Sequence, residues 1–172
     1  MKHNNLIPIL LATSLFSGCS SVSSISVNKV QGAKTQLTVD INGVESAKGQ
    51  LLVYLHDNSA SYYSDDDFDL NSIKFFKRLI IEPQFPFTQV IFENIPAGNY
   101  AVSVIHDEDK NGTLSRMIFP FAGMPSEPYG LSNDIYSNFT KGPFEDALIQ
   151  VTAPDYKVSL TLNSHLSKMT GL

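Results

Sequence analysis

The sequence predicts an all-β domain, an antiparallel β-sandwich of about seven short strands with long loops. Apolar and polar residues alternate with a period of two in most segments after residue 35, which is typical of half-buried strands. The 9 prolines and 10 glycines lie mostly between these segments, where they mark turns. No stretch shows a convincing 3.6-residue period with capping residues, so no long helix is expected.

Seven segments have the length and pattern of strands: residues 37–41, 50–56, 72–82, 87–92, 99–106, 147–151 and 158–162. In the first of them, Leu37, Val39 and Ile41 alternate with polar residues, and Gly43 follows. Many short strands separated by turn signals are typical of two packed antiparallel sheets.

Two long segments interrupt the strands. Residues 58–71 are polar and contain four aspartates and three aromatic residues, whereas residues 110–144 contain four prolines. Loops of this length in a compact domain are usually functional or lack fixed structure. Because the second segment is rich in Phe, Met, Tyr and Leu, we expect it to pack over one edge of the sandwich as an ordered lid.

Length and charge limit the possible functions. The chain has 172 residues, with 12 Lys and Arg against 17 Asp and Glu, giving a formal net charge of −5. This length predicts one domain, large enough to bury a core without disulfides. The acidic balance argues against nucleic-acid binding, which needs clustered Lys and Arg.

The N-terminal residues predict export and lipidation. Lys2 precedes an apolar run of 11 residues at positions 6–16, which is too short to span a bilayer but fits a signal peptide. The following Leu15-Phe16-Ser17-Gly18-Cys19 resembles a bacterial lipobox. Cys19 is the only cysteine, so it cannot form an internal disulfide, and lipidation with palmitate explains its position. An uncleaved anchor, or an ordinary signal peptide with a chance cysteine, is the alternative.

We therefore expect three parts: a signal peptide at residues 1–18, lipidated Cys19 with a flexible Ser-rich tether at residues 19–34, and the β-sandwich domain at residues 35–172. Ser20 follows the cysteine, where Asp would suggest retention in the inner membrane. By resemblance to bacterial lipoproteins, the expected location is the outer membrane of a Gram-negative cell envelope.

One constellation has the chemistry of a metal site. The spacing Asp107-x-Asp109-x-Asn111-Gly112 leaves the end of a predicted strand and matches that of oxygen-ligand calcium loops. Ca²⁺ prefers carboxylate, amide and carbonyl oxygens, and Gly112 permits the sharp turn that such loops need. The same residue types also form ordinary Asx turns, so a plain turn is the alternative.

Further ligands come from the rest of the loop and from elsewhere in the chain. Thr113 can offer its backbone carbonyl, and Ser115 stands where such loops often hold a water-bridged ligand. The closing carboxylate of a helix–loop–helix calcium site would fall at Ile118, so another carboxylate is needed, from Glu127 or from residues 65–69.

Zinc bound by two histidines and glycan hydrolysis by loop carboxylates are less favoured alternatives. His56 and His106 each end a predicted strand, but a zinc site needs a third ligand. No nucleophile elbow, zinc-protease motif or phosphate-binding loop is present. The aromatic residues of the loops can cover the core or form a binding surface for sugar or peptide: Tyr62, Tyr63, Phe119, Phe121, Tyr129 and Tyr136.

Five segments in order resemble domain-of-unknown-function family 2141 (DUF2141), a set of bacterial exported proteins: GQLLVYL at 49–55, FENIPAGNYAV at 92–102, HDEDKNGTL at 106–114, GMPSEPYGLSN at 123–133 and GPFEDA at 142–147. The resemblance covers roughly residues 45–163 and implies a small sandwich, prealbumin-like or immunoglobulin-like, with no agreed activity. The family's usual Asp after the Gly-x-Leu turn is Ser115 here, which removes one possible oxygen ligand.

The sequence therefore favours a membrane-tethered, extracytoplasmic lipoprotein that acts as a non-enzymatic binding or structural module, with Ca²⁺ as its one possible cofactor. Its expected partners are the membrane, through the lipidated N-terminus, and an envelope protein or glycan. The competing hypothesis is an envelope-glycan hydrolase that uses the loop carboxylates.

Overall fold

The computed structural model describes residues 33–64, 75–137 and 140–171. These residues form eight strands: β1 Lys34–Asn42, β2 Gln50–His56, β3 Lys77–Ile81, β4 Phe87–Pro96, β5 Gly98–Asp107, β6 Tyr129–Leu131, β7 Ile149–Val151 and β8 Asp155–Thr161. Three short helices accompany them: α1 Ser59–Ser64, α2 Phe144–Ala147 and α3 His165–Thr170. A 3-10 turn spans Ser132–Asp134.

The strands form two sheets, so the fold is mostly β; the predicted all-β class did not include the three short helices. Three strands make one sheet in the order β4-β1-β8. Five make the other, in the order β3-β2-β5-β6, with β7 pairing with β5. The predicted strands correspond to β1–β5, β7 and β8, and the structure adds β6.

The expectation of purely antiparallel pairing is wrong for one strand pair. β8 runs parallel to β1, with Val39 opposite Val158 and Ile41 opposite Leu160. Two-residue alternation tells which side chains are buried but carries no information on strand direction. β8 follows the β7 strand of the other sheet, so its direction is set by a crossing between sheets rather than by a hairpin.

Side chains from both sheets share one hydrophobic core. In β1 the alternating residues Leu37, Val39 and Ile41 are all 0% exposed, as the period of two requires. They belong to one cluster with Val53 of β2 and Val104 of β5. Burying each such side chain contributes about 1.5–3 kcal/mol, so this cluster stabilises the packing of the two sheets.

The five-stranded sheet is also covered on its other face. Leu52 and Tyr54 of β2 and Ile105 of β5 pack there with Leu114, from the segment predicted to be a lid. That segment lies over the sheet and also contributes the edge strand β6, which pairs with β5. Part of the predicted lid is therefore a strand of the sheet itself. The sequence does not show this strand, because it has only three residues.

Two of the short helices fix the margins of this covered face. Tyr62 of α1 is fully buried, and its hydroxyl donates to the carbonyl oxygen of Gly142 over 2.9 Å. The C-terminal α3 begins at the cap Ser164, whose hydroxyl accepts from the Ser167 amide, and ends at Gly171 in the left-handed region. No helix among the described residues combines the length and apolar character needed to cross a membrane.

Several sequence predictions fall outside the described residues. These are the signal peptide at 1–18, Cys19 with the tether as far as residue 32, the acidic residues 65–69 and the start of the predicted third strand at 72–74. The domain predicted from residue 35 has its first strand from Lys34.

Candidate metal centre

Asp107, the last residue of β5, is the most buried carboxylate of the predicted calcium loop. It is 0% exposed. Its Oδ1 accepts from the Asn111 amide at 3.0 Å, and its Oδ2 accepts from the Gly112 amide at 2.8 Å and from Gln50 Nε2 at 2.7 Å. Buried Asp107 therefore fixes both the end of the strand and the turn that follows it.

Two glycines make this turn possible. Gly112 has a φ of +83°, a conformation in which a side chain would be strained. Gly49 lies just before β2, has a φ of +75°, and packs directly against the end of β5. A Cβ at Gly49 would stand 2.2 Å from the carbonyl oxygen of Asp107. The main chain before β2 is therefore packed against the residue that starts the loop.

The exposed half of the loop is held by its own side chains. Asp109 Oδ1 accepts from the Asn111 amide at 3.0 Å, and Oδ2 accepts from Asn111 Nδ2 at 2.9 Å. Asn111 Nδ2 also donates to Ser115 Oγ at 2.8 Å. Asn111 Oδ1 accepts from the amide of Thr113 at 2.8 Å and from its hydroxyl at 2.6 Å. These contacts make the five predicted ligand positions of the loop one connected unit.

Glu127 is one of the two predicted sources of a further carboxylate, and it lies against the loop. It is 5% exposed, and its two oxygens accept from the amides of Glu108 at 2.9 Å and Ser115 at 2.8 Å. It therefore clamps both ends of the loop. The other predicted source, residues 65–69, lies outside the described residues.

Three carboxylates converge as a result. Asp107, Asp109 and Glu127 each place an oxygen within 4.8 Å of the others, a grouping identified among the described residues. Three oxygen atoms this close together could hold a metal ion. Carboxylate oxygens are ligands that Ca²⁺ prefers.

Burial and hydrogen bonding shift the pKa values of two of these carboxyl groups in opposite directions. Burial raises the pKa of Glu127 above its ordinary 4.5, against the two amide hydrogen bonds that lower it, and the charges of Asp107 and Asp109 raise it further. The hydrogen bond from the Asn111 amide, above all, lowers the pKa of exposed Asp109. Ionisation of Glu127 is therefore less favourable than ionisation of Asp109.

No ion pair found among residues 33–64, 75–137 and 140–171 involves the triad. The ion pair found there joins Lys157 and Asp40 on the three-stranded sheet. Gln50 and backbone amides supply the donors to the triad, and these are neutral groups. Three carboxylates at this separation repel one another unless a proton or a cation intervenes.

The two predicted histidines do not share a site. Along the antiparallel β2–β5 pair, His106 lies opposite Leu51 and His56 lies opposite Ala101. Five residues of strand separate them, about 17 Å. His56 is bonded to the hydroxyls of Ser61 and Ser103, and His106 Nε2 to the carbonyl oxygen of Lys48. Zinc binding by this pair is excluded by their separation.

The aromatic residues of the loops divide between cover and surface. Tyr62 is buried, and Tyr129 packs against the covered face of the five-stranded sheet. In contrast, Phe119 is 85% exposed, beside Ile118 at 91%. Covering the core, the use favoured from the sequence, therefore holds for the first two residues but not for the loop tip.

Fold and site together define a class: a mostly-β domain whose five-stranded sheet ends in an acidic loop, closed by a carboxylate from the covering segment. The chain belongs to a family described as uncharacterised proteins conserved in bacteria (DUF2141), whose model matches residues 39–159. That range includes the whole triad, and it confirms the resemblance seen in the sequence. Neither the curated proteins nor the solved structures provided a match.

Proposed function

We propose that this chain is a lipid-anchored, extracytoplasmic binding module of the bacterial envelope, built as a β-sandwich and stabilised by Ca²⁺ in the Asp107 loop. The observation that carries the proposal is the convergence of Asp107, Asp109 and Glu127 on one point. None of the three is in the ion pair found among the described residues. The module acts by binding rather than by turnover, and its partners are the membrane and an envelope protein or glycan.

The sandwich arrangement is supported by the shared core. Inward side chains of β1 and β4 on one sheet, and of β2 and β5 on the other, belong to a single cluster. Two sheets that share one cluster are the layers expected of a prealbumin-like or immunoglobulin-like domain. The five-stranded sheet then has its lid on the outer face, where the acidic loop lies.

Calcium binding is supported by the preformed shape of the loop. Asp107 Oδ1 accepts a hydrogen bond from the Asn111 amide, which leaves it a second lone pair for a cation, whereas Oδ2 accepts from both the Gly112 amide and Gln50. These contacts equally describe a self-contained Asx turn. The buried, clamped Glu127 favours calcium, because a plain turn does not need a third carboxylate.

A thermal melt of the full chain, in metal-stripped buffer and in millimolar Ca²⁺, tests the site. Calcium at 100 times its dissociation constant stabilises a protein by about 2.7 kcal/mol. Asp107→Asn and Asp109→Asn should abolish the shift, whereas Asp155→Asn, on the exposed start of β8, should leave it intact. An unchanged melting temperature in the wild type would leave the plain turn as the correct interpretation.

Membrane tethering is tested at Cys19. Cells that express the chain are grown with radiolabelled palmitate, and the label should follow the wild type but not Cys19→Ser. Several acyl chains on one residue give stable anchoring, at about 0.8 kcal/mol per buried CH₂. The variant should therefore leave the membrane fraction. Label that persists in Cys19→Ser, or no label in either chain, would remove the lipoprotein assignment.

Envelope-glycan hydrolysis is the second candidate, and one observation favours it. Glu127 has a raised pKa and Asp109 a lowered one, the split that an acid and its partner carboxylate require. However, both Glu127 oxygens accept backbone hydrogen bonds, and the residue is only 5% exposed. Release of soluble fragments from purified peptidoglycan by the wild type, but not by Glu127→Gln, would favour the enzyme.

A further inference from the structure

The segment that follows the acidic loop turns back on itself as a hairpin with an apolar tip. Arg116 and Pro125 form an antiparallel bridge at its base. Between them, residues 117–124 read MIFPFAGM, a run without a charged or polar side chain. We call residues 116–125 the apolar hairpin. Exposed runs of several consecutive apolar residues are rarely found in a folded protein unless they have a function.

Backbone hydrogen bonds hold the apolar hairpin together. The Met117 amide donates to the carbonyl oxygen of Met124 at 2.8 Å, and the Gly123 amide donates to that of Met117 at 2.9 Å. Below the base, the Ser126 amide donates to the carbonyl oxygen of Ser115 at 2.8 Å. The tip is therefore carried by a hydrogen-bonded stem that begins at the end of the acidic loop.

The large side chains of the tip face solvent. Ile118 and Phe119 are 91% and 85% exposed, the two highest values for large apolar side chains among the described residues, and Phe121 is exposed beside them. Single exposed apolar side chains need no explanation, but neighbouring ones that form a patch mark an interaction surface.

The size of the tip favours a lipid bilayer over a protein partner. Burying both Phe side chains removes about 300–500 Å² from water. Each partner in a standard protein interface buries roughly 800 Å². A bilayer needs no complementary shape, and each apolar side chain that enters it contributes separately. The run at 117–124 also contains no Asp or Glu, whose charge would oppose entry into lipid.

The proposed lipid anchor keeps the tip within reach of a membrane. At 3.3–3.6 Å per residue, the chain from Cys19 to Ala33 reaches at most about 50 Å. The Ala33 carbonyl accepts from the Ala97 amide, next to the start of β5, whereas the acidic loop leaves from the other end of β5 at Asp107. The 10 residues of β5 span about 33 Å. The tether is therefore long enough for the end with the acidic loop to face the bilayer.

We propose that the apolar hairpin inserts its tip into the membrane to which Cys19 attaches the chain, so that the domain meets the bilayer at a second place. Backbone groups of a turn need partners that hydrocarbon lacks. Ile118 and Phe119 therefore enter only the boundary between head groups and acyl chains, about 5–10 Å deep. The inference rests on the membrane tethering in the proposed function and adds the orientation of the domain.

A tryptophan at the tip tests the insertion, because the chain has no Trp of its own. The full chain with Phe119→Trp is purified from cells in mild detergent and reconstituted into phosphatidylcholine vesicles with plain or brominated acyl chains. Its emission should shift to shorter wavelength in both and be quenched in the brominated vesicles. The control is Ile91→Trp, at an exposed position on the outer face of β4 in the other sheet, which should not be quenched. Equal quenching in both chains, or none in either, would overturn the proposal.

A charge at the tip provides the second test. In the Phe119→Trp chain, Ile118→Asp should lower the equilibrium constant for insertion at least about tenfold, because a carboxylate is costly to bury in lipid. Most of the quenching should then be lost. Ile91→Asp, the same substitution on the other sheet, should leave the quenching unchanged, and thermal melts verify that both variants are folded. Quenching that survives Ile118→Asp would refute insertion of the tip.

A protein partner is the competing occupant of the tip. A spectral shift of Phe119→Trp that requires added envelope proteins, and that vesicles alone do not produce, would assign the tip to such a partner and overturn the proposal.

Failure here is distinguishable from failure of the proposed function. Palmitate labelling at Cys19 and the calcium-dependent melt do not involve the apolar hairpin, and flotation of the chain with the vesicles reports the anchor. If the chain is labelled and floats but Phe119→Trp is not quenched, the anchor stands and only the second membrane contact is refuted. If the chain is neither labelled nor floats, the anchor and the inference that rests on it fail together.

Discussion

The two sheets of this domain differ in how many faces they bury. In β1 of the three-stranded sheet, buried and partly exposed residues alternate from Leu37 to Asn42. In β2 and β5 of the five-stranded sheet, nearly every residue is buried. The first pattern fits one solvated face, and the second fits a sheet covered on both sides. The acidic loop belongs to the doubly covered sheet, so the candidate metal site lies beside the extra layer.

The largest effect is expected from the core that both sheets share. Phe92 of β4 is 1% exposed and belongs to the cluster that joins the sheets. Phe92→Ala should lower the free energy of unfolding by about 3–5 kcal/mol, because it removes buried surface and leaves a cavity. Urea denaturation measures the change, and Phe87→Ala, at a position 41% exposed, is the control. Similar losses for both would contradict the assignment of the shared core.

A smaller and more local effect is expected where the lid is attached. Leu114→Ala removes the side chain that packs on Leu52, Tyr54 and Ile105, at a cost of about 2–3 kcal/mol. Hydrogen exchange should become faster at the Ser115 and Gly112 amides but stay slow in β1. The control is Leu166→Ala, on the exposed side of α3 at 49% exposure. Equal acceleration in both sheets would show that the lid is not a separate cooperative unit.

The pH dependence of calcium stabilisation comes next. Burial raises the pKa of Glu127, so the folded chain takes up this proton at higher pH than the unfolded chain does. Without calcium, stability should therefore increase as the pH falls through that raised pKa. Calcium needs the ionised carboxylate, so its affinity should fall by up to about tenfold per pH unit below the same pKa.

Thermal melts at pH 7 and pH 5, in metal-stripped buffer with and without calcium, measure this difference. The calcium-induced shift should be clearly smaller at pH 5 in the wild type. Glu127→Gln should bind calcium more weakly at pH 7 and lose most of the remaining pH dependence. A shift of the same size at both pH values would show that Glu127 is not a ligand of the ion.

The smallest effect is expected on the solvated face of the three-stranded sheet. Lys157 Nζ lies 2.7 Å from Asp40 Oδ2, and this hydrogen bond is the main cause of the lowered pKa of Asp40. The Lys157 side chain is 60% exposed, so a double-mutant cycle with Asp40→Asn and Lys157→Gln should give only about 0.2–1 kcal/mol. This coupling should be present at neutral pH and disappear as the pH falls through the lowered pKa. A larger coupling would mean that this face is not simply solvated.

The parts of the fold that the sequence predicts are those encoded locally. Leu37, Val39 and Ile41 alternate with polar residues because β1 has one buried face, and this pattern needs no knowledge of the partner strands. The loop is local too, because Asp107, Asp109 and Gly112 lie within a few residues of one another. Their spacing therefore located the turn, although it did not decide between an ion and an Asx turn.

The parts that were missed depend on distant or very short features. The parallel β1–β8 pair joins the two ends of the domain, and nothing in either strand specifies direction. The three-residue β6 is a strand only because it pairs with β5. For α3 a signal existed: Ser164 and Gly171 are good capping residues on either side of a six-residue helix. That helix is too short to show a period.

The acidic loop and the covered face of the five-stranded sheet share one residue of the chain. Leu114 lies between Thr113 and Ser115 of the loop and packs on Leu52, Tyr54 and Ile105. If a cation holds the loop in place, it also holds this side chain against the sheet. Linkage then requires reciprocity: the free energy by which calcium stabilises the packing of Leu114 equals the free energy by which that packing stabilises bound calcium.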